Sequence, residues 1–266
     1  RDAQESRGLG DVYKRQNENS TVEIYAQDII DFSKAMKAVD PSILVIPNGD
    51  SDEFFKTVIN KAGNYIDRLC VSNYGVFDFN AGYESYRDTT RCLIWPAQTA
   101  LNAMNKYATQ EQLDKWKLIV AEYGTIDWAG LWHGTNDMGH AIVNFDMTGQ
   151  LLLEPQIEFS CFWNTRWLNN EEYPQTDHDA VDSNGNINPT GYSLLIWNKF
   201  MGDKMIKSES MGAIISYASY SPHENRLFVY FINKGEREEN VNLIIPNKAA
   251  AKIVQCLSLI HISEPT

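Results

Sequence analysis

The chain has 266 residues, 43% of them hydrophobic and 22% charged, which is enough apolar material for a packed core and excludes a disordered polypeptide. Its net charge of −12 excludes the basic face with which nucleic-acid binders displace counterions from phosphates, and suits a neutral ligand. Every apolar run falls short of the roughly 18 residues that a membrane-spanning helix needs, so no membrane partner is expected.

The two ends read differently from the rest. The last ten residues, LSLIHISEPT (257–266), back-translate into DNA whose reverse complement encodes RGLGDVYKRQ, which is the segment 7–16. One DNA sequence read on opposite strands at both ends resembles a sequencing-library transposon adapter. Residues 1–16 and 257–266 are therefore expected to be adapter-derived and are set aside from fold reasoning. Doing so removes four basic and four acidic residues and leaves the balance at −12.

After Asn17 the sequence alternates helix and strand signals in the order of βα units, which implies an α/β fold with a parallel sheet or barrel. Ser20 and Glu23 have capping-box spacing, and Ile24, Ile29, Phe32, Met36 and Val39 recur at helical intervals until Asp40-Pro41. SILVIPNG (42–49) is a short apolar run ending in turn residues, the pattern of a strand buried on both faces. A helix over 52–62, a strand over 68–75, and a helix over 90–107 with Pro96 as a kink or restart follow. KLIVAEYG (117–124) is the clearest strand, then come a helix over 137–153, a strand over 157–163 and a last helix over 191–201. Beyond residue 207 the texture changes. GAIISYASYS (212–221), RLFVYFINK (226–234) and NVNLIIP (240–246) read as antiparallel strands joined by His-Glu-Asn and Lys-Gly-Glu turns, the start of a β-sandwich.

In a parallel barrel the catalytic groups lie where strands end, because the βα loops converge there. Glu122 directly follows the apolar Leu118-Ile119-Val120-Ala121 and precedes Tyr123-Gly124, which aims its carboxylate at a barrel mouth; the alternative is a solvated loop glutamate. Asn73-Tyr74 closes the preceding strand in the same way. The Tyr74 hydroxyl either reaches a neighbouring carboxylate or belongs to an ordinary packed tyrosine. Trp163 and Trp167 at the end of the last strand, and Trp128 and Trp132 in DWAGLWHG, are either stacking faces for a sugar ring or core tryptophans. Asn48 and Asp50 end the first strand as pocket or turn residues. Glu18 precedes the first helix, as a strand-end carboxyl or as an acid favoured by the helix dipole.

Cys70, Cys92, Cys161 and Cys256 show no CxxC spacing, and buried structural thiols are expected. The histidines form no ligand spacing with acids or cysteines, and no P-loop, dinucleotide-binding glycine pattern, GxSxG or HExxH is present. No metal and no cofactor are expected.

The order Asn17-Glu18, AMKAVDPSI (35–43), SNY (72–74), VAEYG (120–124), a strand ending in aromatics, and GAIISYASY resembles the clan A glycoside hydrolases, and among them the family 51 α-L-arabinofuranosidases. The resemblance implies that residues 17–206 are the C-terminal half of a (β/α)8 TIM barrel, from the end of strand four through helix eight. It also implies that residues 207–256 begin an antiparallel β-sandwich. By position, Glu122 would be the nucleophile on the seventh strand and Glu18 the acid/base on the fourth. Asn17 would reach the sugar 2-hydroxyl and Tyr74 would support the nucleophile; Asn73, Trp128 and Trp163 are expected to bind substrate from their own places at strand ends and in the loop after Glu122. The partner implied is an oligo- or polysaccharide, and four βα units alone are expected to be inactive. The sequence departs from the family at Asn73, where histidine is common, and at FWNTRW (162–167), which resembles agarase-like members of the clan. A barrel that binds polysaccharide without cleaving it is the rival reading.

Overall fold

The computed structural model describes residues 21–75, 83–87, 92–124, 136–166, 179–182, 184–245, 252–253 and 255–256. It is a mixed α/β structure in two compact units, the first made of residues 1–77, 91–124 and 150–163, the second of 78–90, 125–149 and 164–266.

In the first unit, helix α1 (Val22–Val39) is capped by Thr21, one residue later than the Ser20 of the expected capping box. Thr21 is extended, and its hydroxyl accepts the Ile24 N–H at 3.3 Å. The helix buries Tyr25, Ala26, Ile29 and Ser33 as one stripe and ends at Asp40, which Pro41 holds extended. The run 42–49 is not a strand. Its single ladder contact pairs Asn48 with Cys70, and Pro47, which has no N–H to donate, interrupts the pairing. The segment nevertheless lies along β1 (Leu69–Tyr74), with Cys70 N donating to Pro47 O and Gly49 N to Cys70 O. Asp67 fastens its start by accepting from Val45 N at 2.8 Å and from Lys37 Nζ at 2.7 Å. Leu44 is exposed, so the segment is not buried on both faces.

Helix α2 (Asp52–Ala62) is capped by Ser51 and buries Phe55, Val58, Ile59 and Ala62. Residues 83–87 form the short helix α3 (Tyr83–Arg87), part of the second unit. Helix α4 (Trp95–Tyr107) starts five residues later than expected, because Pro96 occupies its first turn, where a missing N–H costs nothing. The short α5 (Gln110–Lys115) was not legible from periodicity. Its signal is local, a capping box between Thr109 and Gln112. Strands β2 (Leu118–Gly124) and β3 (Ile157–Phe162) complete a parallel sheet in the order β1-β2-β3. Leu69, Val71, Leu118 and Val120 are fully buried, as are Ala97, Ala100, Leu101, Ala103 and Met104 of α4. At roughly 1.5 to 3 kcal/mol per buried large aliphatic side chain, this layer outweighs exposed pairs such as Lys115–Glu111, worth a few tenths each.

The second unit contains α6 (Met138–Leu152) as far as Gly149, α7 (Pro189–Phe200) and an antiparallel sheet of β4 (Lys204–Ile206), β5 (Ile214–Ser221) and β6 (Arg226–Asn233) in that order. The β5–β6 turn closes on Asn225 at φ 50°, a left-handed conformation that asparagine tolerates. Phe145 stacks on Trp197 with ring centroids 4.6 Å apart, and Tyr217, Tyr230 and Ile232 complete the core. Below it lies a buried carboxylate. Asp146 of α6 accepts from Tyr86 of α3 at 2.9 Å and from the Tyr217 hydroxyl, which also reaches the Asp146 carbonyl at 3.0 Å. Gly149 makes this approach possible, since a Cβ there would lie 2.6 Å from the Tyr217 ring. Burial and the neighbouring Asp146 push the Tyr86 phenol far above its usual value. Residues 240–245, expected to be a strand, are neither helix nor strand. Among the described residues no strand pairs with them, and Leu243 and Ile244 are exposed.

Among the described residues no helix is long and apolar enough to cross a membrane, and no group of His, Cys, Asp and Glu could hold a metal ion. Only Cys70 is a buried thiol; Cys92, Cys161 and Cys256 are exposed, which corrects the expectation of four structural thiols.

Two measurements check this description. Tyr217→Phe removes both hydrogen bonds to Asp146 and should lower unfolding stability by about 2 kcal/mol in urea denaturation. An unchanged midpoint would show that the cluster contributes nothing. Burial pushes the Cys70 thiol up to about 11, so at pH 8 an aromatic disulfide reagent should titrate three thiols quickly and Cys70 only after denaturation.

Candidate functional site

The site is built from the parallel register of β1 and β2. Leu69, Cys70 and Val71 pair with Leu118, Ile119 and Val120, but Ser72 pairs with Glu122, Asn73 with Tyr123 and Tyr74 with Gly124. Strand β2 therefore carries one extra residue, Ala121. The pairing with β3 agrees, because three steps from Val120 to Tyr123 match two steps from Ser160 to Phe162. Strand side chains alternate between faces, so without this bulge Glu122 would share a face with Val71 and Asn73. With it, Glu122 shares the face of Ser72 and Tyr74.

The consequence is a hydrogen bond. The Tyr74 hydroxyl donates to Glu122 Oε2 at 3.0 Å, with both groups buried and Glu122 only 4% exposed. A carboxylate at the end of a central strand is costly to bury unless it is bonded, and this bond also fixes which way it points. Ser72, paired with Glu122, faces the same side and is half-buried. It was missed in the sequence because nothing distinguishes it from any strand serine until the bulge is known.

Asn73 faces the other way. It is fully buried, donates Nδ2 to Leu93 O at 3.3 Å and accepts the Ala97 N–H at 3.3 Å, so it ties the end of β1 to the first turn of α4. Gly75 lets the same backbones close up. A Cβ there would stand 1.9 Å from Leu93 O, and Trp95 Nε1 donates to Gly75 O at 3.1 Å.

Trp163 follows β3, half-buried, with its N–H donated to Tyr123 O at 2.9 Å. Its carbonyl lies 3.1 Å from the position of a Cβ on Gly124, and Tyr74 Cε1 lies 3.5 Å from the same point. The ends of all three strands thus meet around Gly124. Asn48 bridges to Cys70, on the side of β1 away from β2, and Asp50 is exposed. Burial pushes the Tyr25 phenol up to about 12, against the lowering effect of a hydrogen bond with the Asn48 backbone. Asn17, Glu18, Trp128, Trp132 and Trp167 lie outside the described residues. The structure therefore brings together Glu122, Tyr74 and the backbone of Trp163, and turns Asn73 toward the helix layer.

No protein-family profile matches the chain, and no curated protein sequence does. Solved structures do match. The α-L-arabinofuranosidase from Thermotoga maritima, in its arabinose complex, superposes with a TM-score of 0.62 over 80% of this chain and 48% of that one, at 18% identity. The family 51 α-L-arabinofuranosidase from Thermotoga petrophila gives 0.59 over the same shares, also at 18% identity. The family 51 enzyme from Bifidobacterium longum gives 0.60 over 82% and 51%, at 13% identity. The chain spans about half the length of the structures it matches, and over that half it has a glycoside-hydrolase-like fold.

Proposed function

We propose that the whole protein is a retaining glycoside hydrolase acting on an oligo- or polysaccharide, arabinofuranosidase-like in its sugar, and that Glu122 is its nucleophile. The observation that carries this reading is the buried Glu122 carboxylate, turned by a bulge onto the Tyr74 hydroxyl at the end of the central parallel strand. The likeness of fold to family 51 arabinofuranosidases supports it.

On this reading residues 17–206 supply the second half of an eight-unit barrel. The segment 42–49, β1, β2 and β3 are its strands five to eight, and residues 207–256 open a β-sandwich. Residues 1–16 and 257–266 are adapter-derived. The four parallel segments follow one another in space in their chain order, as barrel strands do.

The chemistry needs two carboxyls about 5 to 5.5 Å apart. Glu122 attacks the anomeric carbon and the bond to the leaving oxygen breaks, while Glu18 gives that oxygen its proton. Water then attacks the same carbon, gives its proton to Glu18 and frees Glu122. Asn17 holds the sugar 2-hydroxyl, and Trp128 and Trp163 offer ring faces. Asn73 supports the site through α4 and does not touch sugar. The ending FWNTRW favours a second reading, an agarase-like enzyme of the same clan. Aryl arabinofuranosides and agaro-oligosaccharides, assayed side by side, separate the two.

Two substitutions test the assignment in the whole enzyme. Glu122→Ala should lower kcat at least about a thousandfold, roughly 4 kcal/mol, with sugar binding retained and turnover partly restored by azide. Undiminished hydrolysis without azide would sink it, and a carbohydrate-binding protein without activity in either form would point to the rival reading. Tyr74→Phe removes one hydrogen bond to a carboxylate and should lower kcat/KM about 10- to 100-fold in a folded enzyme.

A further inference from the structure

Tyr74 is gripped through both of its neighbours by one residue that belongs to no strand. Leu93 stands in a turn just before α4, with its side chain buried. Its carbonyl accepts Asn73 Nδ2 at 3.3 Å, and the same oxygen leaves no room for a Cβ on Gly75. Asn73 and Gly75 flank Tyr74, so the place of the Leu93 peptide sets the backbone that carries the phenol. The phenol has two side-chain torsions with which to follow that backbone, and its bond to Glu122 Oε2, 3.0 Å long, weakens steeply when the angle departs from linear. What fixes Leu93 therefore bears on Glu122.

Leu93 precedes the helix, so its N–H lies outside the ladder of α4 and needs another acceptor. Gln150, half-buried in the last turn of α6 and 57 residues away in sequence, supplies it. Its Oε1 accepts the Leu93 N–H at 3.0 Å and the Cys92 thiol at 3.4 Å, so two successive residues of the turn are tied to one oxygen. Gln150, the 92–93 turn, both strand ends and α4 all belong to the first compact unit. We infer that Gln150 is a positioning residue for the Tyr74–Glu122 pair. It holds the turn, the turn holds Asn73 and Gly75, and these hold the phenol against the carboxylate. The kinetic consequence rests on the reading of Glu122 as nucleophile; the relay rests on the hydrogen bonds alone.

Hydrogen exchange and kinetics of the whole protein test the two parts separately. Gln150→Leu keeps the bulk and removes the acceptor. It should speed amide exchange about tenfold in peptides that cover 72–75 and leave 99–107 of α4 unchanged. It should also lower kcat on an aryl arabinofuranoside about tenfold, with KM held within about twofold. In a Tyr74→Phe background the same substitution should cost less than about twofold, because the bond it positions is already gone. Gln150→Glu keeps an oxygen at the same reach and should return both readouts to within about twofold of the unsubstituted protein. Unchanged exchange at 72–75, equal acceleration over 99–107, or the whole loss of kcat repeated in the Tyr74→Phe background overturns the inference. If Gln150→Leu does not fold, Gln150→Ala removes the same acceptor and is read by the same outcomes. Local acceleration at 72–75, reversed by Gln150→Glu, in a protein that hydrolyses neither aryl arabinofuranosides nor agaro-oligosaccharides supports the relay and overturns the nucleophile.

Discussion

One extra residue in one strand decides what the sheet presents. Ala121 sits opposite the step from Val71 to Ser72, and everything after it in β2 changes face relative to a regular ladder. Before the bulge, Leu118 and Val120 lie fully buried and in register with Leu69 and Val71. After it, the carboxylate that would have been driven against the same apolar layer meets a phenol instead. A buried carboxylate without a donor would cost several kcal/mol, and a hydrogen bond to a charged group returns roughly 1.5 to 3. The bulge and Tyr74 are therefore one device, since neither makes sense at this position without the other.

The two units rest on different physics. The parallel unit is held by aliphatic burial and by small residues, with three alanines of α4 fully covered, which lets that helix lie close to β1. The second unit is held by aromatic rings around Trp197 and by hydroxyls that converge on Asp146, Ser219 and backbone carbonyls. Buried polar networks of this kind add stability only when each member is bonded, but they fix geometry more narrowly than aliphatic contacts do.

Much of this was legible. Periodicity located α1, α2 and α6, and the apolar run ending in Glu-Tyr-Gly located β2 almost to the residue. What failed did so for local reasons. The run 42–49 has a strand's composition but Pro47 at the place where it must donate. The short α5 has too few residues for a period and announces itself only by its cap. Asn73 and Tyr74 both close a strand and both read as pocket residues, yet alternation sends one to the helix layer and one to Glu122. The bulge itself has no sequence signature, since Ala121 is an ordinary strand residue until its neighbours' pairing is known.

That division of labour between adjacent residues explains how a strand end can hold a buried carboxylate in one orientation. Tyr74 can hold Glu122 only if its own backbone does not move, and the backbone is fixed from behind. Asn73 spans Leu93 O and Ala97 N, Gly75 O accepts from Trp95, and the Leu93 carbonyl fills the space where any side chain on Gly75 would stand. Leu93 N is in turn held by Gln150 Oε1 at 3.0 Å. A side chain at position 75 would force the β1 end away from α4 at a cost of about 1 to 3 kcal/mol, and would carry Tyr74 with it. The donor on one face of β1 is thus positioned by contacts on the other. A carboxylate's orientation at this site depends as much on the helix layer as on the phenol it touches.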